Sequence, residues 1–184
     1  GVMQKLFNGE IRFKDENGND YRDWDEKSLE KLLTIGNGTG YKDLGDGNIP
    51  VYGTGGIIKY VDDYLYDGES VGIGRKGTID KPVFLNNKFW TVDTLFYTHS
   101  FKKCIPKFIF YFFLTVNWYR YNEATGVPSL SKSTLNKIRI CLPEINEQKK
   151  IASFLSLIDF KIENISLQIE KTKEFKKGLL QQMF

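Results

Sequence analysis

"LNKIRICLPEINEQKKIASFLSLIDFKIENISLQIEKTKEFKKGLLQQMF", residues 135–184, holds the pattern that decides how this chain is built. Leu135 to Leu142 reads as a strand closed by Pro143. From about Asn146 onward, Ile151, Ile158, Ile165, Thr172 and Leu179 recur every seven residues. Leu155, Ile162, Ile169, Lys176 and Met183 form the interleaved set, the spacing of heptad a and d positions. No proline interrupts the run, which predicts one helix of roughly 38 residues, about 57 Å long. Phe154, Phe175 and Leu180 widen the stripe beyond a two-stranded seam, while Thr172 and Lys176 weaken it near its end. A body of about 120 residues has a radius of gyration of only ~14 Å. Most of the stripe should therefore overhang the body, and an overhanging apolar stripe requires a partner. The competing expectation is a helix laid across its own domain.

Ahead of this helix the chain divides in two. Residues 1–7 look like the last turns of a helix, and Asn8 to Asp25 is polar, with "DENGND" a strong turn signal. Short β-rich runs follow, "IPVYG", "GIIKYV", "ESVGIG", "KPVFL" and "FWTVDTLFYTH", each bounded by Gly, Asp or Asn. They predict a mixed, strongly curved sheet. Pro106 suits a first helical position, and the apolar residues after it predict a buried helix to about Asn122. "ATGVPSLSKSTL" is expected to be a loop. The expected class is α+β: a remnant helix and connector over 1–23, a globular domain with a curved mixed β-sheet and packed helices over 24–143, and one long coiled-coil helix over 144–184. "GVMQKLF" at 1–7 and "GLLQQMF" at 178–184 share Gly, Gln and Phe in register, which suggests one unit of a tandem duplication.

Composition narrows the function. Content of 41% hydrophobic and 15% aromatic residues excludes compositional disorder. The net charge of +3 is too mild to demand an anionic partner, but it is uneven. Residues 31–143 hold 14 basic against 9 acidic side chains, whereas residues 1–30 hold 5 against 8. Cys104, Cys141 and the single His99 form neither a disulfide framework nor a metal cluster, so no metal and no cofactor are expected. "GVMQKLF" leads at once into polar sequence, and "FIFYFFLTV" at 108–116 is far short of the roughly 20 residues of a spanning helix. A cytoplasmic protein without a membrane segment is the expectation.

"VGIGRKGTID", residues 71–80, carries Gly72, Gly74 and Gly77 at the G-x-G-x-x-G spacing of a dinucleotide loop. That fingerprint requires a helix opening on the last glycine. Here "TIDKPVFL" follows instead, and its β-branched residues and Pro82 are unsuited to such a helix. A basic turn between glycines has another use. Arg offers a planar fork matched to guanine O6 and N7, and Lys a mobile charge for phosphate. "YGTGGIIKY" at 52–60 and "GVPSLSKST" at 126–134 are two further loops of this kind in the basic segment.

"IPVYGTGGIIKYVDDYLYDGESVGIGRKGTIDKPVF", "FWTVDTLFY" and "TGVPSLSKSTLNKIRICLPEINEQKKIASFLSLIDFKIE", with "EFKKGLLQQMF" at the end, resemble the specificity subunit of type I restriction-modification systems over nearly the whole chain. The most specific stretch is the strand, Pro143 and "INEQKKIASFL". The resemblance implies two target-recognition domains, each followed by a long helix. The helices pack antiparallel, each domain reads half of a split site in double-stranded DNA, the methyltransferase subunits dock on the helices, and the restriction subunit joins the complex. This sequence departs from that pattern in holding one such domain and one long helix, a half-length form for which a homodimer through the helices would restore the arrangement.

On that reading the chain performs no catalysis, and the Asn-Pro-Pro-aromatic methyltransferase motif is absent from it. The expected DNA face comprises Tyr52, Thr54, Lys59, Arg75, Lys76, Thr78, Ser129, Ser131 and Lys132. The expected dimer and partner interface comprises Ile151, Leu155, Ile158, Ile162, Ile165, Ile169 and Leu179. A coiled-coil scaffold protein without sequence-specific DNA binding is the alternative.

Overall fold

In chain order the elements are α1 (Val2–Phe7), β1 (Asp25–Ser28), β2 (Thr34–Asn37), β3 (Asp46–Gly53), β4 (Gly56–Val61), β5 (Tyr66–Asp67), β6 (Ser70–Gly74), β7 (Val83–Leu85), β8 (Lys88–Thr91), β9 (Leu95–His99), α2 (Pro106–Thr115), α3 (Lys132–Lys137), β10 (Arg139–Leu142) and α4 (Ile145–Met183). The structure, a computed structural model, describes residues 1–183, with side chains as far as Gln181. The side chain of Met183 in the heptad set, and Phe184 in the terminal match, lie outside the described residues.

The class is α+β as expected, with the strands divided among three sheets. Strands β2-β9-β6-β7 form an antiparallel sheet, and β4-β3-β8-β5 a mixed one in which β3 and β8 run parallel. β1 and β10 pair as a separate ribbon. The β3–β4 hairpin has two register shifts, which add bend and twist.

Two expected elements change length. α2 stops at Thr115 and a single 3-10 turn, Trp118–Tyr121, replaces the expected continuation to Asn122. Val116 is extended, and the Trp118 indole N–H donates to the Phe113 carbonyl at 3.0 Å, which satisfies a group the helix end leaves free. In the expected loop, residues 132–137 form α3, because the Ser131 hydroxyl caps it by accepting from the Thr134 N–H at 3.2 Å. The strand expected from Leu135 is thereby shortened to Arg139–Leu142.

The main core gathers Leu6, Ile73, Phe96, Phe108, Tyr111, Phe113, Trp118 and Ile140 with Ile151, Ala152 and Leu155 of the long helix. Phe7 packs on Phe108 and Phe112 with ring centroids 5.2 and 5.9 Å apart. One core thus runs across both boundaries expected at 23/24 and 143/144. A smaller cluster of Val51, Val61, Trp90 and Val92 lies under the mixed sheet.

The heptad stripe divides at the edge of the lobe. Ile151 and Leu155, expected at an interface between chains, belong to the lobe's own core, because the first turns of α4 lie against α2. Ile158 is half-buried, and Ile162, Ile165, Ile169 and Leu179 are exposed, with Leu157, Phe160, Leu167, Phe175 and Leu180 beside them. The Tyr111 hydroxyl marks the divide, bonding the Asp159 carboxylate at 2.6 Å and the Ser156 hydroxyl at 3.0 Å. Beyond it α4 runs free of the lobe for about 36 Å.

Burial makes two groups resist ionisation. It pushes the Cys104 thiol up to about 11, and it pushes the Tyr111 hydroxyl up to about 12, helped by the bond to Asp159. A group whose folded value lies above its unfolded one contributes stability in full below the unfolded value and loses it as pH rises toward the folded value. The melting temperature is therefore expected to fall between about pH 8.5 and 12, and above about pH 10 more steeply in the native chain than in Tyr111→Phe. Thermal scans across that window test this, and a flat or rising profile contradicts it.

Candidate nucleic-acid interface

β6 ends at Gly74, and the chain turns through Arg75, Lys76 and Gly77 before β7. The glycine spacing answers to packing. A Cβ at Gly74 would run into the Thr78 carbonyl, and Gly77 has φ +94°, in the left-handed region. The next regular element after Gly77 is β7, so the loop presents no helix N-terminus to a pyrophosphate.

The turn is stapled on both sides. Arg75 and Lys76 donate their N–H groups to the Thr94 carbonyl at 2.8 and 3.3 Å, Gly77 donates to the Pro128 carbonyl at 2.9 Å, and Leu130 donates to the Arg75 carbonyl at 2.8 Å. Lys76 and Ser129 form an isolated β-bridge. A cleft of about 590 Å³ opens there, lined by Arg75, Lys76, Asp93, Thr94, Val127 and Ser129 among others. The Arg75 side chain is exposed, its Nη1 3.4 Å from the Asp93 carbonyl and its guanidinium carbon 5.9 Å from the Phe96 ring centre. Among the described residues neither Arg75 nor Lys76 takes part in an ion pair.

The expected DNA-facing residues separate under this geometry. Arg75, Lys76 and Ser129 line the cleft, with Thr78 next to it in sequence. Thr54, on the β3–β4 turn, lies beside Gly77 and brings the hairpin tip to the same place. Tyr52 is half-buried at the end of β3, and burial holds its hydroxyl above the usual tyrosine range. Lys59 pairs with Asp46 at 3.4 Å across the hairpin.

The Ser131 hydroxyl is already engaged within the lobe. It caps α3 and bonds Glu123 at 2.6 Å, and Thr134 bonds the same carboxylate. These bonds hold Glu123 below the usual carboxylate range. Lys132 lies near His99, which is held below the usual histidine range by burial first and the Lys132 charge second. His99 ends β9, whereas the Arg75 turn is fastened just before the start of that strand.

Some contributors escape sequence reasoning. The Asn122 side chain accepts from the Ala124 and Ser129 N–H groups at 3.1 and 2.9 Å and donates to the Ala124 carbonyl at 2.7 Å, which shapes the loop that fastens Arg75. An Asn at the mouth of a Gly-Pro loop was the available signal. Among the described residues there is no grouping of three metal-binding side chains, and no helix is long and apolar enough to cross a membrane. Both cysteines are free thiols, Cys104 buried and Cys141 exposed.

A small α+β lobe carries this fastened basic turn and stands on a helix that outruns it. The family model described as "Type I restriction modification DNA specificity domain" matches residues 21–173, and the chain belongs to that family. It is 33% identical over 126 residues to the type I restriction enzyme MjaVIII specificity subunit of Methanocaldococcus jannaschii, covering 65% of this chain and 27% of that protein. It is 28% identical over 192 residues to the MjaIX specificity subunit of the same organism, covering 89% and 44%. The chain thus spans less than half the length of these relatives. The fold is shared with the type I restriction-modification S subunit from M. genitalium, at TM-score 0.68 and 17% identity over 89% of this chain and 46% of that one. It is shared also with the HsdS subunit from Thermoanaerobacter tengcongensis, at TM-score 0.62 and 14% identity over 89% and 44%.

Proposed function

We propose that this chain is a DNA-specificity unit of a type I restriction-modification system. Its lobe reads one half of a split target in double-stranded DNA through the Arg75–Lys76 cleft. The free length of α4 pairs antiparallel with a second copy, sets the distance between the two lobes, and seats a methyltransferase subunit. A restriction subunit joins through the assembled complex. The lobe contributes binding energy and discrimination, and the methyl-transfer chemistry belongs to the partner.

The observation that carries this reading is the stapled turn. Four backbone hydrogen bonds fix the chain under Arg75 and Lys76 while both side chains stay exposed and outside any described ion pair. A rigid backbone with exposed cationic side chains loses little entropy on meeting a groove. Lysine contacts to phosphate position the lobe, and a bidentate arginine specifies a base.

Anisotropy titrations with duplexes selected from a random pool and with unrelated duplexes, at several salt concentrations, test it. Selected duplexes should bind at least ~10³-fold more tightly than unrelated ones, and unrelated binding should collapse with salt. Absence of binding to both classes at low salt would leave a helical scaffold. Arg75→Ala should lower affinity for the selected duplex by about tenfold or more, with a much smaller effect on unrelated DNA. Equal loss on both makes Arg75 a phosphate contact.

A further inference from the structure

The first turn of α4 contains two polar side chains with no solvent exposure, Glu147 and Gln148. One Glu147 oxygen accepts from the Trp24 indole N–H at 2.8 Å and from Arg12 Nη2 at 3.0 Å, and the other accepts from Arg12 Nε at 3.2 Å. Arg12 Nη2 also donates to the carbonyls of Tyr21 and Arg22 at 3.1 and 2.7 Å. The Gln148 amide nitrogen donates to the carbonyls of Lys103 and Pro143 at 3.0 and 2.8 Å, and its oxygen accepts from the Ile105 N–H at 3.1 Å. One helical turn is thereby tied to the connector 12–24, to the link between β9 and α2, and to Pro143, two residues before the helix.

Adhesion alone does not require this. Ile151, Ala152 and Leu155 already bury the root of the helix. An ion pair with a buried member seldom adds stability over hydrocarbon side chains of the same size, because desolvation is costly, and here Glu147 is fully buried while the Arg12 side chain is 26% exposed. Apolar contact is non-directional, whereas hydrogen bonds fix angles. What the polar set adds is a direction for the helix relative to the lobe.

Direction matters at the other end of the lobe. The Arg75 turn is fastened to Thr94, just before β9 begins, and Gln148 is fastened to Lys103 and Ile105, beyond its far end. The strand that lies between them, β9, has five residues and is about 17 Å long. A swivel of about 10° at the root would carry the turn ~3 Å, close to the 3.4 Å rise of one base pair. A ruler whose joint swivels that far cannot count base pairs.

We infer that Glu147, Arg12, Trp24 and Gln148 are positioning residues: a polar clamp that fixes the angle between lobe and α4, and so the spacing between the half-sites. This rests on the DNA-reading function proposed above. The test uses the full chain. Selection from a randomised duplex pool defines the half-sites and spacer preferred by the native protein, and a ladder of duplexes with the spacer changed by one or two base pairs is then titrated. Two variants accompany it. Arg12→Met combined with Glu147→Met keeps apolar volume and removes the directional bonds, and Arg12→Lys keeps the charge and removes the fork.

The native chain should lose about tenfold or more in affinity for each base pair of wrong spacing. In both variants the ladder should flatten to within about threefold, with the best duplex bound nearly as tightly as by the native chain. A lowered melting temperature with an unchanged ladder overturns the inference and leaves the clamp a stability element. If the double variant does not fold, the Arg12→Lys ladder decides. A native chain that binds duplex DNA with no spacer preference removes the ruler and the clamp with it. A native chain that binds no duplex DNA refutes the proposed function itself.

Discussion

With Asp in place of Ile162 the protein is expected to sediment as a monomer at micromolar concentration while its lobe melts where the native lobe melts; with Asp in place of Leu155 it is expected not to fold. The two residues stand one heptad apart in the same stripe, and only their surroundings differ. Leu155 is 3% exposed and Ile162 58%. At Leu155 the substitution forfeits about 2 kcal/mol of apolar burial and leaves an unpaired carboxylate inside the core. The second effect costs several kcal/mol, against a total stability of about 5–15 kcal/mol. At Ile162 in the separate chain, an exposed side chain replaces an exposed side chain, which changes stability by roughly 0.5 kcal/mol or less.

In the proposed pair, two-fold symmetry would bury position 162 twice, so each penalty would be counted twice. At about 1.4 kcal/mol per tenfold in affinity, two buried carboxylates weaken the dimer by three decades or more. Sedimentation velocity and thermal denaturation of both variants check the two halves separately. A dimer that survives Ile162→Asp has its seam elsewhere, and a stable Leu155→Asp would mean that the helix root is not packed into the lobe.

That contrast marks how far the residues themselves could be read. Spacing alone makes Ile151, Leu155 and Ile162 equivalent, because a heptad pattern reports which positions share a face and not what covers that face. The long helix, the β-rich first half and the failure of the glycine fingerprint were all legible, since each rests on local rules: period, Pro82 and the residues between glycines. The resemblance to specificity subunits, carried by the strand, Pro143 and "INEQKKIASFL", was legible too. Contacts between distant parts of the chain were not. Nothing in the sequence around Glu147 and Gln148 signals their burial, because their partners Arg12, Trp24, Lys103 and Ile105 lie between 43 and 135 residues away. Ser131 reads as a loop hydroxyl open to DNA, and Glu123, eight residues earlier, withdraws it. Lys59 reads as a free cation until the hairpin brings Asp46 to it.

Trp118→Ala is expected to destabilise the protein by about 3–5 kcal/mol and to loosen the cleft as well as the core. Trp118 is 1% exposed, and its ring meets Phe113 edge to face with centroids 5.1 Å apart. Its indole N–H closes α2, and the 3-10 turn it anchors ends at Tyr121, immediately before Asn122. Asn122 in turn holds the Ser129 N–H, and Leu130 holds the Arg75 carbonyl. Removing the indole should therefore leave a large cavity and free the base of the loop that fastens the Arg75 turn. For a chain of this size the melting temperature should fall by roughly 10 °C or more. Trp118→Phe, which keeps a ring and loses the N–H, should fall by less than half as much. Hydrogen exchange separates the two consequences: below the melting transition the amides of Ser129 and Leu130 should exchange faster in Trp118→Ala than those of Val71 and Ile73 in β6. Uniform acceleration across all four would mean that the core and the cleft fail together, and that Trp118 does not act through the Asn122 loop.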